Sequence, residues 1–228
     1  MARRPSIKIC MEPVVAFYAQ MNFEQIESEV VSHGLFIMGS TGTIVLVGAD
    51  KHWWKIFSQS PESKDDIKDP VDRWSKRVLN EIAAHSGATS IFPSDGPPYA
   101  PFISWALETG QFWQSPTGMM IHERAGLMIS IRGALQFSTP FHKSLPKTNP
   151  CHACIDMPCT SACPVDALSN KHHYNVPECK AYLKSASGGK TCMSLGCEAR
   201  RVCPVSRSFG RVNQQSAFHM QAFMRAST

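Results

Sequence analysis

Residues 151–164 read Cys151-His-Ala-Cys154-Ile-Asp-Met-Pro-Cys159-Thr-Ser-Ala-Cys163-Pro164, four thiols in thirteen positions closed by a proline. A second run, Cys192-Met-Ser-Leu-Gly-Cys197-Glu-Ala-Arg-Arg-Val-Cys203-Pro204, ends on the same Cys-Pro pair, and Cys179 stands between the two. Eight of the nine cysteines therefore fall within 53 of the 228 residues, and the rest of the chain holds only Cys10. In a compartment that keeps thiols reduced, such crowding argues for bound metal rather than disulfides. Cys10, remote from the others, reads as a buried or free structural thiol.

Working outward, charge is as uneven as the thiols. Residues 1–150 carry 14 Lys/Arg against 14 Asp/Glu, whereas residues 151–228 carry 9 against 4, so the net charge of +5 belongs to the cysteine half. A nucleic-acid surface is one reading of that excess, but no nucleic-acid-binding module is visible. The other reading, which we favour, is that Lys and Arg offset metal-bound thiolates. No apolar run approaches the roughly 20 residues of a membrane helix. The opening residues Met1 to Lys8 are basic with no apolar run behind them, so a secretory leader is not expected and a cytoplasmic protein is.

Before the cysteines, helical and extended patterns alternate. Phe23, Ile26 and Val30 have helical spacing ahead of Gly34; Leu35–Met38 and Thr43–Val47 read as strands joined by a turn at Gly39-Ser-Thr-Gly42. Asp69-Pro70 opens an amphipathic helix with Val71, Trp74, Val78, Leu79 and Ile82 on one face. Ala88–Phe92 and Leu127–Ile131 read as further strands, and Phe102–Leu107 as a helix. This alternation predicts an α/β (α+β) domain over residues 1–148. A loop-rich two-cluster module over 149–206 and a helical tail over 207–228 follow, with Ala217, Phe218, Phe223 and Met224 packing back. The stretch Pro140–Pro150 reads as a linker.

The pattern C-x2-C-x2-C-x3-C-P of two-cluster iron–sulfur proteins assigns its first three cysteines to one cluster and its fourth to the other. Here the first and last gaps and the proline are kept, while the middle gap has four residues. The spacing predicts two 4Fe–4S clusters, one on Cys151, Cys154, Cys159 and Cys203, the other on Cys163, Cys179, Cys192 and Cys197. Proline after each crossing cysteine fixes φ and adds no N–H. Two four-cysteine zinc sites would need the same residues, and disulfides remain a third possibility.

The order C-x2-C…C-x3-CP, a lone Cys, two spaced Cys and a final CP resembles the dicluster module of epoxyqueuosine reductases and cobalamin-dependent reductive dehalogenases. That resemblance implies a nitroreductase-like, cobalamin-reductase-like α/β domain ahead of the clusters, with cobalamin as a possible further cofactor. The stretch from Gly110 to Gly126-Leu is similar to their Gly-rich segment, and Asp95 lies where their catalytic acid falls. The chain also resembles short bacterial dicluster ferredoxin-type proteins, through Asp72-Arg-Trp, Phe92-Pro, Gly96-Pro-Pro-Tyr99, Ser115-Pro with Gly118 and Ile121-His122, Arg132-Gly-Ala-Leu135 and Ala217-Phe-His-Met220. It departs from the reductases in its longer middle gap.

Other candidates carry plainer readings beside the chemical ones. Asp95 is a proton donor or simply an Asx turn before Gly96-Pro-Pro. His122 and Arg124 hold an anion or form a polar strand end. Gly39-Ser-Thr-Gly42 lacks the Lys-Ser/Thr and the following helix of a phosphate loop and is rejected as one. His152, His172 and His173 read as surface or supporting groups beside the thiols. Trp53, Trp54, Phe57 and Trp74 read as core, and His219 as packing or as a hydrogen-bond donor near a cluster. The function expected is one-electron transfer through the two 4Fe–4S clusters to a partner, a redox protein or a small-molecule substrate, or to a cofactor in the N-terminal domain. If the chain is an enzyme, it is an oxidoreductase; cobalamin-dependent reduction and a structural or regulatory iron–sulfur role are the alternatives.

Overall fold

Ile26 and Val30, one helical turn apart, bury one face of α1 (Phe23–Ser32), and the chain reverses at Gly34, whose φ of +70° has no room for a side chain: a Cβ there would lie 2.8 Å from the Trp53 Cα. The computed structural model describes residues 23–141, 147–168 and 174–225. Cys10, His172 and His173 lie outside the described residues, as does part of the expected linker.

β1 (Leu35–Thr41) and β2 (Ile44–Ala49) form a hairpin, Leu35 opposite Ala49 and Thr41 opposite Ile44. The turn is thus at Gly42-Thr43, not across Gly39–Gly42. Gly39 instead occupies a register shift within β1, with φ +146° and the Thr109 side chain 2.8 Å from where a Cβ would stand. β2 is buried on both faces and is one of the two inner strands. After α2 (Trp53–Phe57) and α3 (Pro70–Ser86), β3 (Thr89–Ile91) adds a short edge. α4 (Phe102–Glu108), a small hairpin of β4 (Phe112–Gln114) and β5 (Met120–His122), and β6 (Ile131–Gln136) complete this half.

The sheet order is β1-β2-β6-β3, antiparallel at every described pairing. The class is therefore α+β; the alternation that reads as α/β in sequence does not correspond to parallel crossovers here. The strand expected at Leu127–Ile131 begins only at Ile131. Backbone groups at Leu127 and Met128 are taken by the C-terminal half: Ser206 Oγ accepts from Leu127 N (2.8 Å), and Arg200 and Arg211 donate to the Leu127 and Met128 carbonyls.

Alternate residues of β2 feed two cores. Val45 and Val47 face α1 and α3, joining Ile26, Trp74 and Leu79; Ile44 and Leu46 face α4, joining Phe36, Phe102 and Phe209. Trp53 stacks on Phe57 at 4.7 Å and meets Trp74 edge-on at 5.7 Å. Burying each such ring contributes about 2–3 kcal/mol, and the core reading of these aromatics holds.

The cysteine half is built from short turns and helices: α5 (Val176–Lys184), α6 (Ala186–Gly188) running into a π-turn at Gly189–Met193, α7 (Glu198–Val202), α8 (Pro204–Phe209) and α9 (Asn213–Arg225). α9 packs back through Phe218, as the apolar pattern predicts, with Phe223 stacked on Tyr174 at 6.2 Å, and it also buries a polar flank that the pattern does not predict. Gln215 and Ser216 are buried, and Phe218 reaches Trp54 and Phe57 at 5.5 and 5.9 Å. Among the described residues no helix is long and apolar enough to cross a membrane.

Candidate metal centres

Most of the cysteines sit in short turns or at the ends of short helices. Cys151 begins a tight turn capped by Asn149, whose side chain accepts from Cys151 N at 2.9 Å. Cys159 lies in the 3-10 turn that Pro158 opens, and Cys179 in the first half of α5, behind an Asn175 cap. Cys192 lies in the π-turn, and Cys197 caps the N-terminus of α7. Cys203 breaks α7 from α8 with φ −58° and ψ 125°, and Pro204 then occupies the first helical position, where its missing N–H costs nothing.

Two cavities collect these thiols. Cys151, Cys154, Cys159 and Cys203 line one of 310 Å³, walled by Ile121, Leu127 and Val205. Cys163, Cys179, Cys192 and Cys197 line another of 160 Å³, with Leu168, Tyr174 and Leu183. The grouping is the crossed one: the last cysteine in sequence joins the first three, and Cys163 joins the later three. The four-residue middle gap bows outward, with Ile155 91% exposed and Met157 in left-handed backbone at φ +38°.

All eight are free thiols. Burial pushes Cys159 up to about 11, with Cys203, Cys151 and Cys154 adding to the effect, and Cys151 is raised by burial and by Cys203 and Cys154. Burial likewise raises Cys179, with Cys197 and Cys163 contributing, and Cys192, with Cys197 contributing. Among these four shifted thiols the mutual repulsion runs within a quartet and never between quartets. Buried thiols that oppose one another's ionisation are stabilised as thiolates by a positive core.

Among the described residues, no group of three His, Cys, Asp or Glu converges tightly enough to hold a single metal ion. A tetrahedral zinc with Zn–S near 2.3 Å requires sulfurs about 3.8 Å apart. Four thiols at each cavity are a donor set that a four-cysteine zinc ion or a four-sulfur cluster takes. Donors to sulfur are also present: Ala167 N–H reaches Cys163 Sγ and Tyr174 O–H reaches Cys179 Sγ, each at 3.2 Å. Such bonds stabilise thiolate and are part of how a protein tunes a cluster. The donor set fits 4Fe–4S clusters.

Tyr174 was invisible to motif reading, its only signal being a position five residues before Cys179. Arg200 and Arg211, which line the 160 Å³ cavity, were foreshadowed only by the local excess of positive charge. His219 lines the same cavity and stacks on Trp53 at 6.3 Å.

The remaining candidates are elsewhere. Asp95 is exposed in the 93–98 loop, paired with Lys76 Nζ at 2.5 Å, and lines neither cysteine cavity. His122 is buried: Nε2 donates to the Met38 carbonyl at 2.9 Å while Nδ1 accepts from Arg124 N and Ala125 N, and burial lowers it to about 4. This neutral, fully bonded ring is structural. Arg124 pairs with Asp50 at 2.6 Å over the Phe36 ring. His152 is exposed at the edge of the first turn. No protein-family model matches the chain, and no curated protein matches it.

Proposed function

We propose that the chain is an iron–sulfur protein that passes electrons singly through two 4Fe–4S clusters, one on Cys151, Cys154, Cys159 and Cys203 and one on Cys163, Cys179, Cys192 and Cys197. In this reading the protein has an N-terminal α+β domain of the nitroreductase-like kind followed by a dicluster module, and serves a redox partner protein, a small molecule or a cofactor in the N-terminal domain. The observation that carries it is the crossed sorting of the eight thiols into two separate cavities. A bound cluster supplies a one-electron store whose potential ranges over roughly −700 to +450 mV with its surroundings.

The chain's own groups act on charge. The Tyr174 hydroxyl and the Ala167 amide donate to sulfur and favour the more negative state, and Arg200 and Arg211 at the second quartet act in the same direction. Apolar walls at the first quartet keep water from the thiolates. The test is anaerobic purification followed by iron, sulfide, zinc and corrinoid analysis, with EPR of the reduced sample. About eight iron per chain is expected. Two zinc without sulfide overturns the reading, and stoichiometric corrinoid turns it toward a cobalamin-dependent reductase.

A further inference from the structure

The two thiol cavities differ in what surrounds them. Beyond its cysteines the first is walled by aliphatic side chains, prolines, a methionine and the Ser115 hydroxyl, with no charged side chain. The wall of the second includes Arg200, Arg211 and His219, and one carboxylate, Glu198, which pairs with Arg201 a helical turn further on. Arg200 donates to the Leu127 carbonyl at 3.2 Å and Arg211 to the Met128 carbonyl. A carbonyl fixes a guanidinium without cancelling its charge. Burial, with repulsion from Arg200 and Arg132, lowers Arg211 only to about 9, so it stays charged at neutral pH. Arg211 Nε and His219 Nε2, both in residues of this wall, are buried without a partner. Buried donors are ordinarily bonded, so the wall lacks an acceptor.

Hydrogen bonds to sulfur divide the same way. Three thiols of the second quartet receive one: Cys163 from Ala167 N–H and Cys179 from Tyr174 O–H, each at 3.2 Å, and Cys192 from Glu198 N–H. At the first quartet, among the described residues, only the Cys159 amide acts on a thiol, its own. Burial does not offset the difference, because Cys159 and Cys203 of the first quartet are buried against Cys192 alone of the second.

Reduction adds one negative charge to a 4Fe–4S core that its four thiolates already make anionic. Donors to sulfur and nearby cations stabilise that added charge and raise the potential, whereas an apolar, water-poor wall lowers it. We propose that Arg211, with Arg200 and Tyr174, holds the cluster on Cys163, Cys179, Cys192 and Cys197 at the higher potential of the two, so that it is the one reduced first. The inference rests on the iron–sulfur reading and adds to it an order between the two sites.

The experiment is an EPR-monitored redox titration of the anaerobically reconstituted full chain. Two one-electron midpoints are expected, the higher surviving in Cys159→Ala and the lower in Cys192→Ala. Arg211→Gln shifts the partition of one electron between the sites about tenfold, which for a one-electron couple is about 59 mV off the higher midpoint. The lower midpoint stays in place, and Arg211→Lys restores most of the loss because it keeps the charge. A single shared midpoint in a chain with about eight iron, or the reverse order in the two cysteine variants, overturns this inference and leaves the iron–sulfur reading standing. So does an equal shift of both midpoints in Arg211→Gln. Two zinc without sulfide overturns both. Should Arg211→Gln lose its second cluster through its contact with Met128, Tyr174→Phe decides: an unmoved higher midpoint there refutes the tuning.

Discussion

Cys203 stands far along the chain from Cys151, Cys154 and Cys159 yet shares their cavity, while Cys163, only four residues after Cys159, lines the other one. Double substitutions separate this crossed arrangement from a sequential one. If each quartet holds one 4Fe–4S cluster, Cys203→Ala lowers iron from about eight to about four per chain. Adding Cys159→Ala removes nothing further, because both thiols serve the same cluster, so the double variant also keeps about four iron. Combining Cys159→Ala with Cys163→Ala instead breaks both quartets and leaves close to none. A sequential grouping reverses the two outcomes. The assay is anaerobic reconstitution followed by iron and acid-labile sulfide counts, with EPR spin quantitation to show that the surviving cluster keeps its own signal. Retention of about four iron by Cys159→Ala/Cys163→Ala, with loss of all iron from Cys159→Ala/Cys203→Ala, refutes the crossed assignment.

Three further outcomes are expected. The folded chain keeps His122 neutral down to about pH 4, whereas the unfolded chain protonates it near 6.5. The unfolded state thus binds the extra proton between those values, and stability falls as pH drops through that window, by about 3 kcal/mol at pH 4. Urea midpoints of matched samples at pH 7 and pH 4 check this, and an equal acid loss in His122→Gln contradicts it. Gly126→Ala drives a Cβ to 2.4 Å from Ser206 N in left-handed backbone at φ +57°, so it lowers thermal stability by a few kcal/mol and loosens the 127–128 loop from α8. Hydrogen exchange at Leu127, unchanged in the variant, would argue otherwise. Asp95→Asn removes an exposed pair with Lys76 and costs less than about 1 kcal/mol; electron transfer and iron content stay at wild-type levels, and a large loss of turnover would instead mark Asp95 as chemical.

Local signals were read well where the chain's own neighbours decide the structure. Pro70 and the apolar spacing from Val71 to Ile82 announce α3, which runs Pro70–Ser86, because helical periodicity and an N-terminal proline are properties of contiguous residues. The same logic misread Leu127–Ile131: its apolar character is that of a strand, but its first carbonyls and amide are claimed by Arg200, Arg211 and Ser206, more than seventy positions away. The tail was legible as a helix, and Phe218 and Phe223 pack as its apolar pattern predicts, but the fully buried Gln215 and Ser216 beside them carry no apolar signal. Hydropathy does not report a polar face that packing buries.

Spacing alone therefore singled out eight cysteines as candidate donors and showed that Cys-Pro ends each run, because residue type and proline geometry are local facts. It also determined that positive charge travels with the cysteines. Tertiary structure decided the rest: that the sheet is antiparallel, that the eight thiols surround two separate cavities, and that Arg132 and His219, nearly ninety residues apart, meet over Trp53. These are contacts between distant segments, set by which faces the packed elements must hide from water, and no window along the chain contains them.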